Sequence, residues 1–138
     1  MAEGIQLSAA VIFVRELDRS VSFYRDLLGL TPADSSETAA LLVGQDDSQL
    51  VLRATGQNAP HSLGSIGVQY LIWNVPTKAD LEQLTASLRQ RSAYQETRTD
   101  GDVTVVEGRD PDDLVIMLMH SGGSKAAMRR LPSRIYAW

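Results

Sequence analysis

Val14–Leu30 reads VRELDRSVSFYRDLLGL. Asp18 is placed to cap a helix, and Val21, Tyr24, Leu27 and Leu28 recur at helical spacing before Gly29 supplies a C-terminal stop. The spacing predicts a helix of about three turns. Just before it, Leu7–Val14 (LSAAVIFV) is a short apolar run with β-branched residues, long enough for a buried strand and too short for a typical helix. A strand running straight into an amphipathic helix is the unit on which the rest of the chain can be read.

Past Pro32, two further strands are expected at Ala39–Val43 and Gln49–Ala54, divided by the turn-prone Gly44–Ser48. Gln57–Gly67 (QNAPHSLGSIG) has no apolar period and reads as a connection. The order then starts again. Val68–Val75 (VQYLIWNV) is a strand, Thr77 with Asp80 makes an approximate capping arrangement, and Leu81, Leu84 and Leu88 mark one face of a helix ending near Arg91. Tyr94–Thr99, Val103–Glu107 and Leu114–Met119 read as three strands, with a hairpin turn at Asp100–Gly101. A strand, a helix and three strands, repeated at a spacing of about 60 residues, predict an α+β chain of two tandem βαβββ modules. Module one spans about residues 5–55 and module two about 66–120, in one domain over 1–120. The remaining 121–138 form a basic, aromatic tail, in which Lys125, Arg129, Arg130 and Arg134 accompany Leu131, Ile135, Tyr136 and Trp138. Such a tail reads as a solvated or partner-docking segment.

Composition removes several classes of function. The 138 residues contain no cysteine, which excludes disulfides, thiolate metal sites and a cysteine nucleophile. A formal charge of −4 argues against general nucleic-acid binding, which depends on neutralising phosphates. No apolar run reaches the ~18 residues of a membrane-spanning helix, and Met1–Leu7 lacks the order of a signal peptide, so the expected location is the cytoplasm. There is no G-x-S-x-G and no P-loop, and Asp110–Asp113 reads as a turn rather than a calcium loop.

Val14–Leu30 closely resembles the first-module signature of the glyoxalase, bleomycin-resistance and extradiol-dioxygenase superfamily, the vicinal oxygen chelate proteins. In that signature an acidic residue after strand one precedes a Ser-x-x-Phe-Tyr helix ending in Leu-Gly. Asp110–Leu118 (DPDDLVIML) resembles the same family's closing turn and strand, Asp-Pro-Asp-Gly-Asn-x-Ile-Glu-Leu. The resemblance implies eight strands in a curved mixed sheet around a cup, helices outside, and commonly a homodimer. It also implies metal ligands on the first and last strands of each module. Those positions fall here on Ala9, Tyr70, Met117 and Val51, or on Gln49 or Leu50 in place of Val51 if the alignment slips, and none of these supplies an imidazole or carboxylate for a divalent ion. No metal and no other cofactor is therefore expected. His61 falls in the connection, and His120 is opposite in strand phase to Met117, so neither is expected to restore a site.

Alternation along the strands puts further side chains in phase with the lost ligands. They are Ala9, Val11 and Phe13, then Gln49, Val51 and Arg53, then Tyr70, Ile72 and Asn74, and finally Val115, Met117 and Met119. This largely apolar set with a few polar members has the composition of an organic-ligand pocket. Trp73, on the opposite phase, is expected to pack against the helix. The leading expectation is a metal-free protein that sequesters a hydrophobic or aromatic small molecule such as an antibiotic, with no catalytic residue assigned. One alternative is a lyase, isomerase or dioxygenase-like enzyme with displaced ligands, or a metal-free catalyst using Glu107 or Tyr70 for proton transfer. Another is a regulatory or interaction subunit docking through its tail.

Overall fold

The computed structural model describes residues 4, 5, 7–56 and 68–122. His61, the connection at 57–67 and the tail from 123 onward lie outside the described residues. The chain divides into two compact units, Met1–Pro60 and His61–Trp138.

The first unit runs β1 (Ala9–Val14), α1 (Leu17–Leu28), β2 (Thr31–Ser35), β3 (Ala39–Val43) and β4 (Gln49–Ala54). Its four strands form one sheet in the order β1-β4-β3-β2, with β1 parallel to β4 and the other pairs antiparallel. The parallel pair needs a crossover, and α1 with the β2–β3 hairpin supplies it. Leu50 and Leu52 on β4 are in register with Leu42 and Ala40 on β3, and all four are buried. They form the face on which α1 lays Ser20, Phe23, Tyr24 and Leu27. Phe23 and Tyr24 meet edge to face with ring centroids 5.2 Å apart.

The second unit repeats the plan with β5 (Tyr70–Asn74), α2 (Lys78–Gln90), β6 (Tyr94–Asp100), β7 (Val103–Arg109) and β8 (Val115–His120). Its order, β5-β8-β7-β6, is the same with β5 parallel to β8. The tandem βαβββ reading therefore holds, and the eight strands form two separate four-stranded sheets, neither closed into a barrel. No helix among the described residues is long and apolar enough to cross a membrane.

Several local expectations needed correction. The cap of α1 is Glu16, in extended conformation and without a side-chain capping bond, rather than Asp18. Leu17 is already helical, so Asp18 lies in the first turn, where its carboxylate acts on the helix dipole instead. Gly29 does end the helix, at φ 69°, with its N–H donating to the Arg25 carbonyl at 2.9 Å. Thr77 caps α2, accepting from the Asp80 N–H at 3.0 Å. Strand β2 was not apparent as a segment in its own right. It is TPADS, exposed throughout, with a register irregularity between Pro32 and Asp34. As an edge strand it tolerates a proline and a bulge, and it needs no apolar alternation. The β6–β7 turn is Gly101–Asp102, one residue later than expected, because Asp100 still pairs with Val103.

Asp110 is the structural centre of the turn into β8. It is buried, and its Oδ1 accepts from the N–H of Asp112 at 2.8 Å and of Leu114 at 2.9 Å. Asp110→Ala strips both donors of this partner and should lower stability by about 1–3 kcal/mol. Asp110→Asn, which keeps an acceptor oxygen, should cost clearly less in urea denaturation. Equal losses for the two would show that the negative charge or the second carboxylate oxygen, rather than acceptance by one oxygen, sets the turn.

Candidate functional site

Strand register decides which side chains share a face. In the first unit Ala9 lies opposite Gln49, Val11 opposite Val51, and Phe13 opposite Arg53. The next strand adds Val43, Leu41 and Ala39 at the same levels. In the second unit Tyr70 lies opposite Val115, Ile72 opposite Met117, and Asn74 opposite Met119. The two registers are equivalent, so each unit brings its six sequence-derived residues onto one sheet face, turned away from the helix-covered side.

Exposure separates the two faces. In the first unit Val11 and Phe13 are 62% and 61% exposed, Gln49 and Arg53 are exposed, and Ala9 and Val51 are half-buried. The Arg53 guanidinium carbon lies 5.6 Å from the Phe13 ring centroid, within cation–π range. In the second unit Ile72 and Asn74 are exposed and Tyr70 and Met119 are half-buried, whereas Val115 and Met117 are buried. Those last two are closed off from solvent and are core as much as surface.

Glu107 belongs to this second face. Its phase was obscure from sequence because Gly108 follows it. The β7–β8 register runs unbroken from Thr104↔His120 to Arg109↔Val115 and sets Glu107 directly opposite Met117. The irregularity falls instead in β6, between Tyr94 and Glu96. Glu107 is buried at 7% exposure, with Glu96 as its partner on β6. Arg98 reaches Glu96 at 2.7 Å. The β3 residues Leu41 and Val43 were also missed, although period two carries them to the same face as Val51 and Gln49.

The resolved pKa shifts lie elsewhere. The Asp46 carboxyl, in the β3–β4 turn, is held below the usual range chiefly by the Ser48 hydroxyl. His120, half-buried at the end of β8, has its Nδ1 3.0 Å from the Val75 carbonyl oxygen. Trp73 is opposite Leu118, on the helix-side phase, with its Nε1 buried and unpartnered among the described residues.

The residues present do not fit the metal of a chelating member. Ala9, Val51, Tyr70 and Met117, the residues that the resemblance puts at the four ligand positions, carry no imidazole or carboxylate, and the other sequence-derived residues of the two faces add two amides, Gln49 and Asn74, and the Arg53 guanidinium, beside the Glu107 carboxylate on the second face. Among the described residues no three His, Cys, Asp or Glu side chains cluster to hold an ion. What these faces offer is apolar area, one stacked aromatic–guanidinium pair, and a buried carboxylate beside thioethers.

Two βαβββ units, each a four-stranded mixed sheet with one helix, define an α+β protein of the paired-module class. The family model described as the Glyoxalase/Bleomycin resistance protein/Dioxygenase superfamily matches residues 6–125, and the chain belongs to that superfamily. Among solved structures it is similar to a glyoxylase/bleomycin resistance protein/dioxygenase domain from Frankia sp. EAN1pec, with 22% identity and a TM-score of 0.74 over 85% of this chain and 98% of that one. A glyoxalase/dioxygenase from Nostoc punctiforme gives 14% and 0.76 over 88% and 95%. A lactoylglutathione lyase from Agrobacterium tumefaciens gives 16% and 0.66 over 86% and 95%. At these identities the likeness is one of fold. No protein of curated function matches the chain.

Proposed function

We propose that this chain is a metal-independent binding protein that sequesters a flat, largely apolar organic molecule, in the manner of the antibiotic-binding members of its superfamily. The observation that carries the reading is the face of the first unit, where Val11 and Phe13 stand in the open on the same strand as Ala9 and in the same phase. Apolar side chains so exposed are costly in water and suit an apolar ligand. About 200 Å² of apolar contact at roughly 25 cal/mol per Å² supplies on the order of 5 kcal/mol, short of the ~8 kcal/mol of micromolar binding. Oriented polar contacts must supply the difference.

A screen of aromatic natural products by thermal shift tests this. A ligand at a hundred times its Kd stabilises by about 2.7 kcal/mol, a rise of roughly 5–10 °C for a chain of this size. The rise should survive EDTA, and the ligand should be recovered unchanged. Loss of binding on chelation would overturn the reading.

Glu107 favours a second reading, metal-free proton transfer, because a buried carboxylate opposite Met117 can act on a ligand held at that face. Under it the recovered ligand is altered, and Glu107→Gln should lower turnover by about a hundredfold or more while leaving Kd within a few-fold.

A further inference from the structure

We infer that the ligand held by the first unit is an anion, a planar aromatic carboxylate, with Arg53 as the residue that selects its charge. The inference rests on the binding reading above and deepens it. Arg53 and Phe13 are register partners on the parallel strands β4 and β1, and the guanidinium carbon sits 5.6 Å from the ring centroid. Arg53 is exposed, and its neighbour on the other side is the small Ala39. Val11, two residues before Phe13 on the same face, extends the apolar surface away from the guanidinium. The result is a platform with apolar area at one end and a fork of N–H donors at the other.

No carboxylate among the described residues is paired with that fork. Arg53 makes no ion pair among the described residues, although Arg19, Arg25 and Arg98 each have a carboxylate partner within 4 Å. The acid in β2, Asp34, is in register with Leu41, two strands across and one level along the face. That is about 12 Å from Arg53 by strand spacing and rise, too far to neutralise it. Asp34 is moreover engaged at home, accepting from the Ser35 N–H at 2.9 Å. A cation–π partner does not satisfy an arginine's donors, so the fork is left available for a bidentate carboxylate pair. Neutral planar ligands would use only the apolar end. Cationic ones would meet Arg53 as a like charge.

Isothermal titration calorimetry of the full chain with 2-naphthoate and neutral 2-naphthamide at pH 7.5 tests the inference. Naphthoate should bind at least about tenfold more tightly, the discrimination expected of a charge-assisted hydrogen-bonded pair. Arg53→Gln should bring the two probes within about twofold and leave the naphthamide affinity nearly unchanged, while Arg53→Lys should keep part of the preference. Phe13→Leu should weaken both probes. The exposed position means that the Arg53 variants should melt within a degree or two of the parent, which separates loss of charge selection from loss of fold. Equal affinities in the parent, or a preference that survives Arg53→Gln, would overturn the anionic assignment while leaving the flat-ligand reading intact. Failure of both probes to bind at millimolar concentration would overturn both.

Discussion

Met117→Glu should destabilise the protein by about 3–5 kcal/mol at neutral pH, the cost of an uncompensated buried charge. Met117 is 4% exposed on β8, flanked in register by Ile72 on β5 and by Glu107 on β7. Direct antiparallel partners hold their Cβ atoms about 5 Å apart, so the new carboxylate would face another in a poorly hydrated place. Met117→Gln brings a similar shape without charge and should cost less, and Met117→Leu should cost under about 1.5 kcal/mol. The pH dependence has a definite sign. Burial and the opposing carboxylate raise the folded-state pKa of the introduced group above its unfolded value of about 4.3. Below about pH 4 both states hold the proton and the extra cost vanishes. It opens as the pH rises through the unfolded value and is complete above the raised folded one. Denaturation of the Glu and Gln variants from pH 4 to 8 should therefore give curves that diverge upward in pH, and parallel curves would mean that the introduced carboxyl is neither desolvated nor opposed by Glu107 at this position. A binding defect in Met117→Glu consequently reports on folding before it reports on a ligand, and Phe13 and Arg53 are the better probes of the site.

Gly108→Ala should destabilise by about 1–3 kcal/mol although it adds one methyl group. The reason is close approach rather than backbone conformation. A Cβ at this position would lie 2.9 Å from the Ala93 carbonyl oxygen and 3.0 and 3.2 Å from the two terminal carbons of Leu88. Leu88 can turn aside, but the carbonyl cannot readily do so, since it accepts from the Arg109 N–H at 2.9 Å. Leu88→Ala should itself cost about 2–5 kcal/mol, being wholly buried. In that background Gly108→Ala should cost less than in the parent and still be unfavourable, because only one of its two clashes has been removed. Complete relief would assign the whole effect to Leu88, and strict additivity would show that Leu88 plays no part.

Where sequence reading fell short, the cause can be traced to particular residues. Thr31–Ser35 contains a proline and an aspartate and buries nothing, so neither propensity nor alternation marks it. It is a strand because β3 offers it an unpaired edge. Glu16 caps α1 without the capping side chain that would have announced it, while Asp18, of the right residue type, lies two residues further on, in the first turn. Glu107 could be placed on a face only once the irregularity was located in β6 and not beside Gly108.

Local and periodic features were legible because they depend on neighbours in the chain. Helical spacing from Val21 to Leu28, the glycine stop at Gly29, the cap at Thr77 and the repeat of one module by the next all follow from short-range sterics and from the burial of one face. Alternation likewise told which residues of β1, β4, β5 and β8 stand together. It could not tell how covered they would be. Val51 and Met117 hold equivalent register positions in their two units, yet one is half-buried and the other is buried, because exposure depends on everything packed above a strand and not on the strand's own period. The stacking of Arg53 on Phe13 and the meeting of Glu107 with Met117 were decided the same way, by cross-strand register between segments about 40 and 10 residues apart in the chain.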